Sequence, residues 1–151
     1  MKRSAARELA IQICFAASSA GVEPLEMLER YFDPEHFETL DTEEGVCTEL
    51  PDEEQMAYIS RLLSLSAEHR MEIDCLIETY AKGWKLNRIS RTALAILRCA
   101  VCEIEFMDDI PDSAAINEAV ELDKGYDDPD TVAFVNGVLG GLMRGEGKTQ
   151  A

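Results

Sequence analysis

Residues 84–143 decide the fold; they read WKLNRISRTALAILRCAVCEIEFMDDIPDSAAINEAVELDKGYDDPDTVAFVNGVLGGLM. Apolar residues recur three and four positions apart along this stretch, as they do in helices that bury one face. The spacing is unbroken over about residues 90–107, which predicts a long central helix there. A second helix is predicted over about 112–125, where Asp112 or Ser113 is the expected N-cap. A third opens at Asp128-Pro129, an N-cap followed by a proline in the first turn.

Four more helices are predicted upstream of this stretch. They cover about residues 4–19, 24–32, the segment that follows Pro51 and Asp52, and 70–82. Gly21 is placed to end the first of them in a left-handed cap, and Gly83 to end the fourth. No segment shows the alternation typical of strands. An all-α fold of about seven helices in two packed sub-bundles fits this pattern. The length of 151 residues fits one domain, spanning residues 1–151.

Acidic residues outnumber basic ones, and the formal net charge is −16. Ten acids and no Lys or Arg lie in residues 33–54, and residues 33–51 lack any sustained period, which predicts an acidic loop. A field of this sign repels phosphate chains and argues against RNA binding. The first seven residues, by contrast, hold three basic residues before the first acid. The loop is therefore either a solvated segment or a patch that holds a basic protein partner.

The composition argues against several classes of protein. No apolar stretch is long enough to span a bilayer, and the N-terminus has no apolar signal core, so we expect no membrane contact and a cytoplasmic protein. The chain has two histidines, His36 and His69, and His69 is predicted on a polar helix face. No phosphate-binding loop is present. Cys99 and Cys102 share one face of the central helix, where small core residues are favoured over a zinc or redox site. We expect no enzyme, no metal and no cofactor.

Several motifs of this chain resemble those of the NusB family of bacterial transcription antitermination proteins. They are ARELAIQ at 6–12, which matches the family's opening A-R-E-x-A-x-Q, WKL at 84–86, AILR at 95–98, AINEAVEL at 115–122 and FVNGVL at 134–139. Their order and spacing match the family. The resemblance covers most of the chain except about residues 33–51, and it implies the all-helical NusB-like fold.

The resemblance also implies a function. It is that of a non-catalytic transcription antitermination factor, which binds boxA-type single-stranded RNA together with NusE, a ribosomal protein, during ribosomal RNA transcription. The factor then acts within the RNA polymerase antitermination complex. An alternative is a helical protein-interaction module that has this fold but does not bind RNA. In the family, the NusE surface includes the helices predicted here over 70–82 and 90–107, but this chain carries Ala93 and Leu94 where many relatives have an acidic and a basic residue.

The N-terminus carries the first group of candidate RNA-binding residues. Arg3 and Arg7 are four positions apart and project from one helix face, with Lys2 beside them. Cations at a helix N-terminus cost about 0.3 kcal/mol or more each, which indicates a role beyond stability. In the NusB family the equivalent segment is arginine-rich and contacts boxA RNA, so the resemblance implies this role for Lys2, Arg3 and Arg7. Residues 4–6 depart from the family because they lack its further arginines.

The last predicted helix carries the second group, Asp130 and Phe134. The family's FVNG phenylalanine lies at the RNA surface, and Phe134 matches it; core packing is the alternative. Asp130 in the first turn interacts favourably with the helix dipole, and the resemblance places it near the RNA edge, where a carboxylate can orient a base or a basic side chain. Phe15 is expected to be mostly core. Gly137, inside the helix, is expected to allow close helix contact or a polar network.

Overall fold

The computed structural model describes residues 3–31, 51–82 and 84–145. Within these ranges the chain forms seven α-helices, one 3-10 turn and no strand, which confirms the predicted all-α class. The helices are α1 (Arg3–Ala20), α2 (Pro24–Tyr31), α3 (Glu53–Glu68), α4 (Arg70–Tyr80), α5 (Arg91–Phe106), α6 (Asp112–Asp123) and α7 (Pro129–Arg144). The 3-10 turn is Leu86–Arg88. Lys2, His36, Gly83 and all but the last residue of the predicted acidic loop lie outside the described residues.

The chain divides into two compact units, Met1–Ala67 and Glu68–Ala151. In the first unit α1 packs against α2. The buried face of α1 includes Ala6, Ala10, Ile13 and Ala17, in agreement with the spacing of the sequence. Gly21 adopts φ +70°, and the amide of the next residue donates to the Ala17 carbonyl at 3.0 Å. The left-handed cap predicted at Gly21 is thus confirmed.

In the second unit α5 is the central helix, as predicted, because it packs against α4, α6 and α7. Ten of its sixteen residues are buried. The Arg98 guanidinium of α5 holds the Asp74 carboxylate of α4 through two hydrogen bonds of 2.8 and 3.1 Å. This bidentate pair fixes the two helices in register. The prediction of a single domain over residues 1–151 stays a prediction.

Short-range capping sets where the helices of the second unit begin. The Ser90 hydroxyl accepts from the Ala93 amide at 3.1 Å, so α5 starts one residue after Ser90. The Asp128 carboxylate accepts from the Thr131 amide at 2.8 Å, ahead of the proline, as predicted for α7. The prediction for α6 is wrong: Pro111 is the N-cap, and Asp112 is already helical. Asp112 therefore interacts favourably with the helix dipole from the first turn of α6 instead of capping the helix.

Candidate nucleic-acid interface

Two arginines of α1 lie against one aromatic ring of α3. The guanidinium carbon of Arg3 is 4.3 Å from the centre of the Tyr58 ring, and that of Arg7 is 5.8 Å away. Tyr58 itself is buried. A guanidinium over an aromatic face gains about 0.5–2 kcal/mol from the ring quadrupole. The ring therefore holds both cations on the same side of α1, as their spacing of four residues predicts.

The two arginines differ in their access to solvent. Arg3 is exposed, whereas only 4% of the Arg7 surface is accessible. Arg7 also makes contacts other than the ring. An exposed guanidinium can meet a phosphate directly, while a buried one acts mainly through what it packs against. The structure thus separates an accessible cation from one that is built into the α1–α3 contact.

A pocket of about 260 Å³ opens in the second unit, between the segment before α5 and the first two turns of α7. Its walls are Trp84, Arg88, Ile89, Ser90, Asp128, Asp130, Thr131 and Phe134. The capping groups Ser90 and Asp128 fix both helix starts at its rim. Two of the predicted site residues, Asp130 and Phe134, therefore lie in one pocket.

An aromatic pair forms one wall of this pocket. The ring centres of Trp84 and Phe134 are 5.4 Å apart, with their planes inclined by 50°. Trp84 is 53% exposed, and Phe134 is half-buried. The core stripe of α7 runs through Val135, Val138 and Leu142, as expected, and leaves Phe134 outside it. The Phe134 ring thus packs on an exposed tryptophan and not in the core.

Sequence reasoning identified Phe134 but assigned no role to Trp84 or Arg88. A local signal was present for both. Trp84 is the single tryptophan of the chain and stands between predicted helices, in a segment without acidic residues. Aromatic side chains among basic ones are typical of surfaces that bind single-stranded nucleic acid. The pairing of Trp84 with a residue fifty positions later was not available from local spacing.

Carboxylates give the pocket a mixed charge. Hydrogen bonds from the Thr131 amide and then from the Thr131 side chain hold the pKa of Asp128 below its usual range, so Asp128 stays ionised as the cap of α7. Asp130 is exposed in the first turn of the same helix. Within the described residues, the Arg88 guanidinium has no recorded hydrogen bond or ion pair. The pocket therefore offers one cation and two anions beside an aromatic wall.

A buried carboxyl group, Asp123, and its half-buried neighbour Asp127 adjoin the pocket through Ser90. The Ser90 hydroxyl donates to Asp127 Oδ1 at 3.2 Å, and Asp127 lies next to Asp123, which has no exposed surface. Burial first, and then the nearby Asp127, raises the pKa of Asp123 to about 7. A carboxyl group in this setting holds a proton near neutral pH. The pair therefore carries less than two negative charges at neutral pH.

Other predicted features lie elsewhere and take structural roles. Cys99 and Cys102 are fully buried on α5, which confirms them as core residues. In the part of the chain that the structure describes, no group of three potential metal ligands occurs. His69 does not lie on a polar helix face: it precedes α4 and stacks on Phe106, with ring centres 3.9 Å apart. This contact between the His69 and Phe106 rings was not indicated by the sequence.

Two further expectations need correction. Phe15 is 37% exposed because it lies off the α1 stripe that includes Ile13 and Ala17. A side chain built on Gly137 would meet nothing within 4 Å outside its own helix, so Gly137 does not serve close helix packing, and the alternative of a polar network stays a prediction. Both residues face away from the cores of their units.

The predicted site residues thus form two groups. Arg3 and Arg7 meet around Tyr58 in the first unit, and Asp130 and Phe134 meet around the pocket in the second. Lys2 lies outside the described residues. No helix of the described ranges combines the length and apolarity needed to cross a bilayer.

Comparison with known proteins gives one consistent result. Residues 4–144 match the model of the NusB family. The transcription antitermination protein NusB of Symbiobacterium thermophilum is 40% identical over 145 residues, which are 96% of this chain and 91% of that protein. The structure of T. maritima NusB aligns with a TM-score of 0.79 and 28% identity, over 95% of this chain and 92% of that one.

A further solved structure shares the fold at lower identity. It is that of the antitermination factors NusB and NusE in complex with double-stranded RNA, which aligns with a TM-score of 0.74 and 24% identity over 94% of this chain and 96% of that chain. At this identity the likeness concerns the fold.

Proposed function

Because the chain belongs to the NusB family, we propose that it is a transcription antitermination factor that binds RNA and has no catalysis of its own. The observation that carries the proposal is the family match over residues 4–144, together with a 40% identical antitermination relative. The ligand is boxA-type single-stranded RNA in nascent ribosomal transcripts. The partner is NusE, and the assembly works with RNA polymerase in the cytoplasm. Within it, residues 1–151 of this chain act as one domain.

The start of α1 supplies the electrostatic part of binding. Arg3 is exposed and held on Tyr58, so less side-chain freedom is lost when it meets a phosphate. Lys2 adds a second cation, and Arg7 supports the geometry of this surface from its buried position on Tyr58. Three cations neutralise at most three phosphates, which gives a salt slope of about 2 log units per tenfold change in salt. Such binding is weak alone, and NusE adds contact surface.

The start of α7 supplies the contacts to a base. Phe134 presents a half-buried ring, and stacking on an aromatic contributes about 1–3 kcal/mol per base. Asp130, one turn earlier, accepts hydrogen bonds from the amino or imino groups of that base. Electrostatics and stacking are thus supplied by different helices.

The competing proposal is a helical protein-interaction module that has lost RNA binding. The charge of −16 and the absence of arginines at residues 4–6 favour it. In that case the acidic stretch 33–51 holds a basic protein partner. The two proposals differ in whether the complex with NusE retains RNA.

Fluorescence anisotropy of a labelled boxA-type RNA, with and without NusE and at two salt concentrations, distinguishes them. The adaptor should bind RNA more tightly with NusE, and Arg3→Gln should weaken binding and reduce the salt slope by about 0.7. Arg30→Gln is the matched control, because Arg30 is exposed in the same unit and already pairs with Glu26 at 3.0 Å. Absence of RNA binding by the wild-type complex at both salt concentrations would establish the interaction module.

A further inference from the structure

Residues 79–102 form a run of 24 residues that contains no Asp or Glu, in a chain that is acidic overall. Five of the 14 basic residues of the chain lie in it. Four of them, Lys82, Lys85, Arg88 and Arg91, recur every third position around Trp84. The run therefore creates a local positive field in a chain whose total charge is strongly negative.

The four spaced cations are available to a ligand. All four are exposed, and none has a recorded side-chain hydrogen bond or ion pair among the residues that the structure describes. Arg98, the fifth basic residue of the run, differs because both its bonds go to Asp74. Cations held in ion pairs stabilise the fold, whereas exposed cations without partners are those that bind phosphates.

The pocket beside this run has the polarity of a nucleotide. Trp84 and Phe134 offer flat apolar surface with ring centres 5.4 Å apart. Arg88 contributes a cation to the same lining, and Asp130 contributes a carboxylate. A nucleotide likewise joins a flat base, which can donate from its amino group, to an anionic phosphate. Neither a purely acidic ligand nor a purely basic one would match all of these groups.

We propose that this pocket holds one nucleotide of single-stranded RNA, with its base against the wall that Trp84 and Phe134 form, stacked chiefly on Trp84, and its phosphate on Arg88. Lys85 and Arg91 hold the phosphates of neighbouring nucleotides. The inference rests on the proposed function and adds a second phosphate-binding surface, in the C-terminal unit, that compensates for the few arginines at the start of α1.

The carboxylates of the pocket also set a preference among bases. Asp128 is engaged as the cap of α7 by the amide and the side chain of Thr131, so Asp130 is the carboxylate of the pocket that is more available to a base. A carboxylate accepts from the 4-amino group of cytosine, whereas uracil has a carbonyl oxygen in the same place and offers a carboxylate only its N3 imino group. The pocket should therefore favour cytosine over uracil.

Trp84 gives a direct measurement, because it is the only tryptophan of the chain. Titration of the full chain with the RNA dodecamers oligo(rC) and oligo(rU) should quench its fluorescence in a saturable way, and more tightly for oligo(rC). Equal affinity for the two would overturn the base preference. Anisotropy of the labelled dodecamers, alone and with NusE, gives the affinity independently of the tryptophan.

Two sets of variants test the two contacts separately. Trp84→Ala should weaken binding of oligo(rC) about 5- to 150-fold, the equivalent of one lost stack, and Trp84→Phe should restore most of it. Tyr126→Ala is the control, since Tyr126 is a 48% exposed aromatic of the same unit outside the pocket. Arg88→Gln should lower the salt slope by about 0.7. Arg70→Gln should not, because Arg70 is exposed at the far end of α4, about 15 Å along the helix from its C-terminus.

The outcomes separate this inference from the proposed function. If RNA binds with NusE, but Trp84 emission is unchanged and Trp84→Ala and Arg88→Gln bind like wild type, the pocket is not a nucleotide site and only this inference fails. If the wild-type complex binds no RNA, both fail. Circular dichroism melts of each variant should match wild type, because the substituted side chains are exposed.

Discussion

Asp123 should make the protein less stable as the pH rises through neutrality. The carboxyl group has no exposed surface, and neither of its oxygens has a hydrogen-bond partner in the described structure; the same holds for Asp127 Oδ2. Burial is the main cause that raises the pKa of Asp123 from 3.8 to about 7, and the nearby Asp127 adds to it. The perturbation is Asp123→Asn, which removes the charge and keeps the shape.

The sign follows from where each state releases its proton. The unfolded chain loses the Asp123 proton near pH 4 and the folded chain near pH 7. The free energy of unfolding therefore has its full value, as far as Asp123 is concerned, below about pH 4, and it falls as the pH rises to about 7. At about 1.4 kcal/mol per pKa unit, the shift from 3.8 to about 7 sets an upper bound of about 4 kcal/mol. The new amide also needs hydrogen-bond partners of its own, which lowers the expected gain. We therefore expect Asp123→Asn to stabilise the fold by about 1–3 kcal/mol at pH 8 and little at pH 4.

Urea unfolding followed by helical circular dichroism, at intervals between pH 4 and pH 8, measures this directly. The variant should show a flatter stability curve than wild type over that range. Asp108→Asn is the control, because Asp108 is exposed after α5 and its substitution removes the same charge. The lowered pKa of Asp128 acts in the opposite sense but only in stronger acid. An Asp123→Asn curve parallel to that of wild type, or a variant less stable at pH 8, would refute the reasoning.

Two further pairs of substitutions test burial and helix geometry. Arg7→Ala should lower the free energy of unfolding by about 1–3 kcal/mol, because it removes a buried guanidinium from Tyr58; Arg3→Ala should cost clearly less, and equal losses in urea unfolding would contradict the distinction between them. Gly137→Ala should raise the melting temperature, since the new methyl group meets nothing within 4 Å and a helix interior favours alanine by about 1 kcal/mol. Gly21→Ala should lower it, because the left-handed backbone at φ +70° disfavours a side chain; a Gly137→Ala variant that melts lower than wild type would show that the position is strained.

Features set by near neighbours in the chain were predictable. The apolar period of α5 predicted a buried helix, and α5 has ten buried residues. Asp128 and Pro129 predicted the start of α7, because capping bonds span only three residues. The same rule misplaced the start of α6, because Asp112 and Ser113 both suit a cap and the chain uses neither. Local chemistry proposes candidates for a cap, but the path of the preceding chain selects among them.

Features set by distant packing were not predictable. The spacing of Arg3 and Arg7 gave their common face but not the burial of Arg7, which depends on a ring of α3. Likewise, the motif that contains Phe134 gave no indication that Trp84 lies beside it. His69 was misassigned for the same reason, since Phe106 is 37 positions away in the sequence. Helical periodicity ranks faces by polarity, whereas side-chain partners depend on which helices meet.

The charge of the whole chain is a poor guide to what the pocket binds. At about 0.1 M salt, interactions between exposed charges are screened over roughly 10 Å, so a phosphate at Arg88 is governed by the groups of the pocket and by the neighbouring cations. Ten of the 30 acids lie in residues 33–54, remote in sequence from the acid-free run at 79–102. Added salt weakens the phosphate contacts in proportion to the counterions released, but it leaves stacking on Trp84 largely intact. Binding extrapolated to about 1 M salt therefore isolates the stacked base, and the slope below that concentration counts the cations that hold the strand.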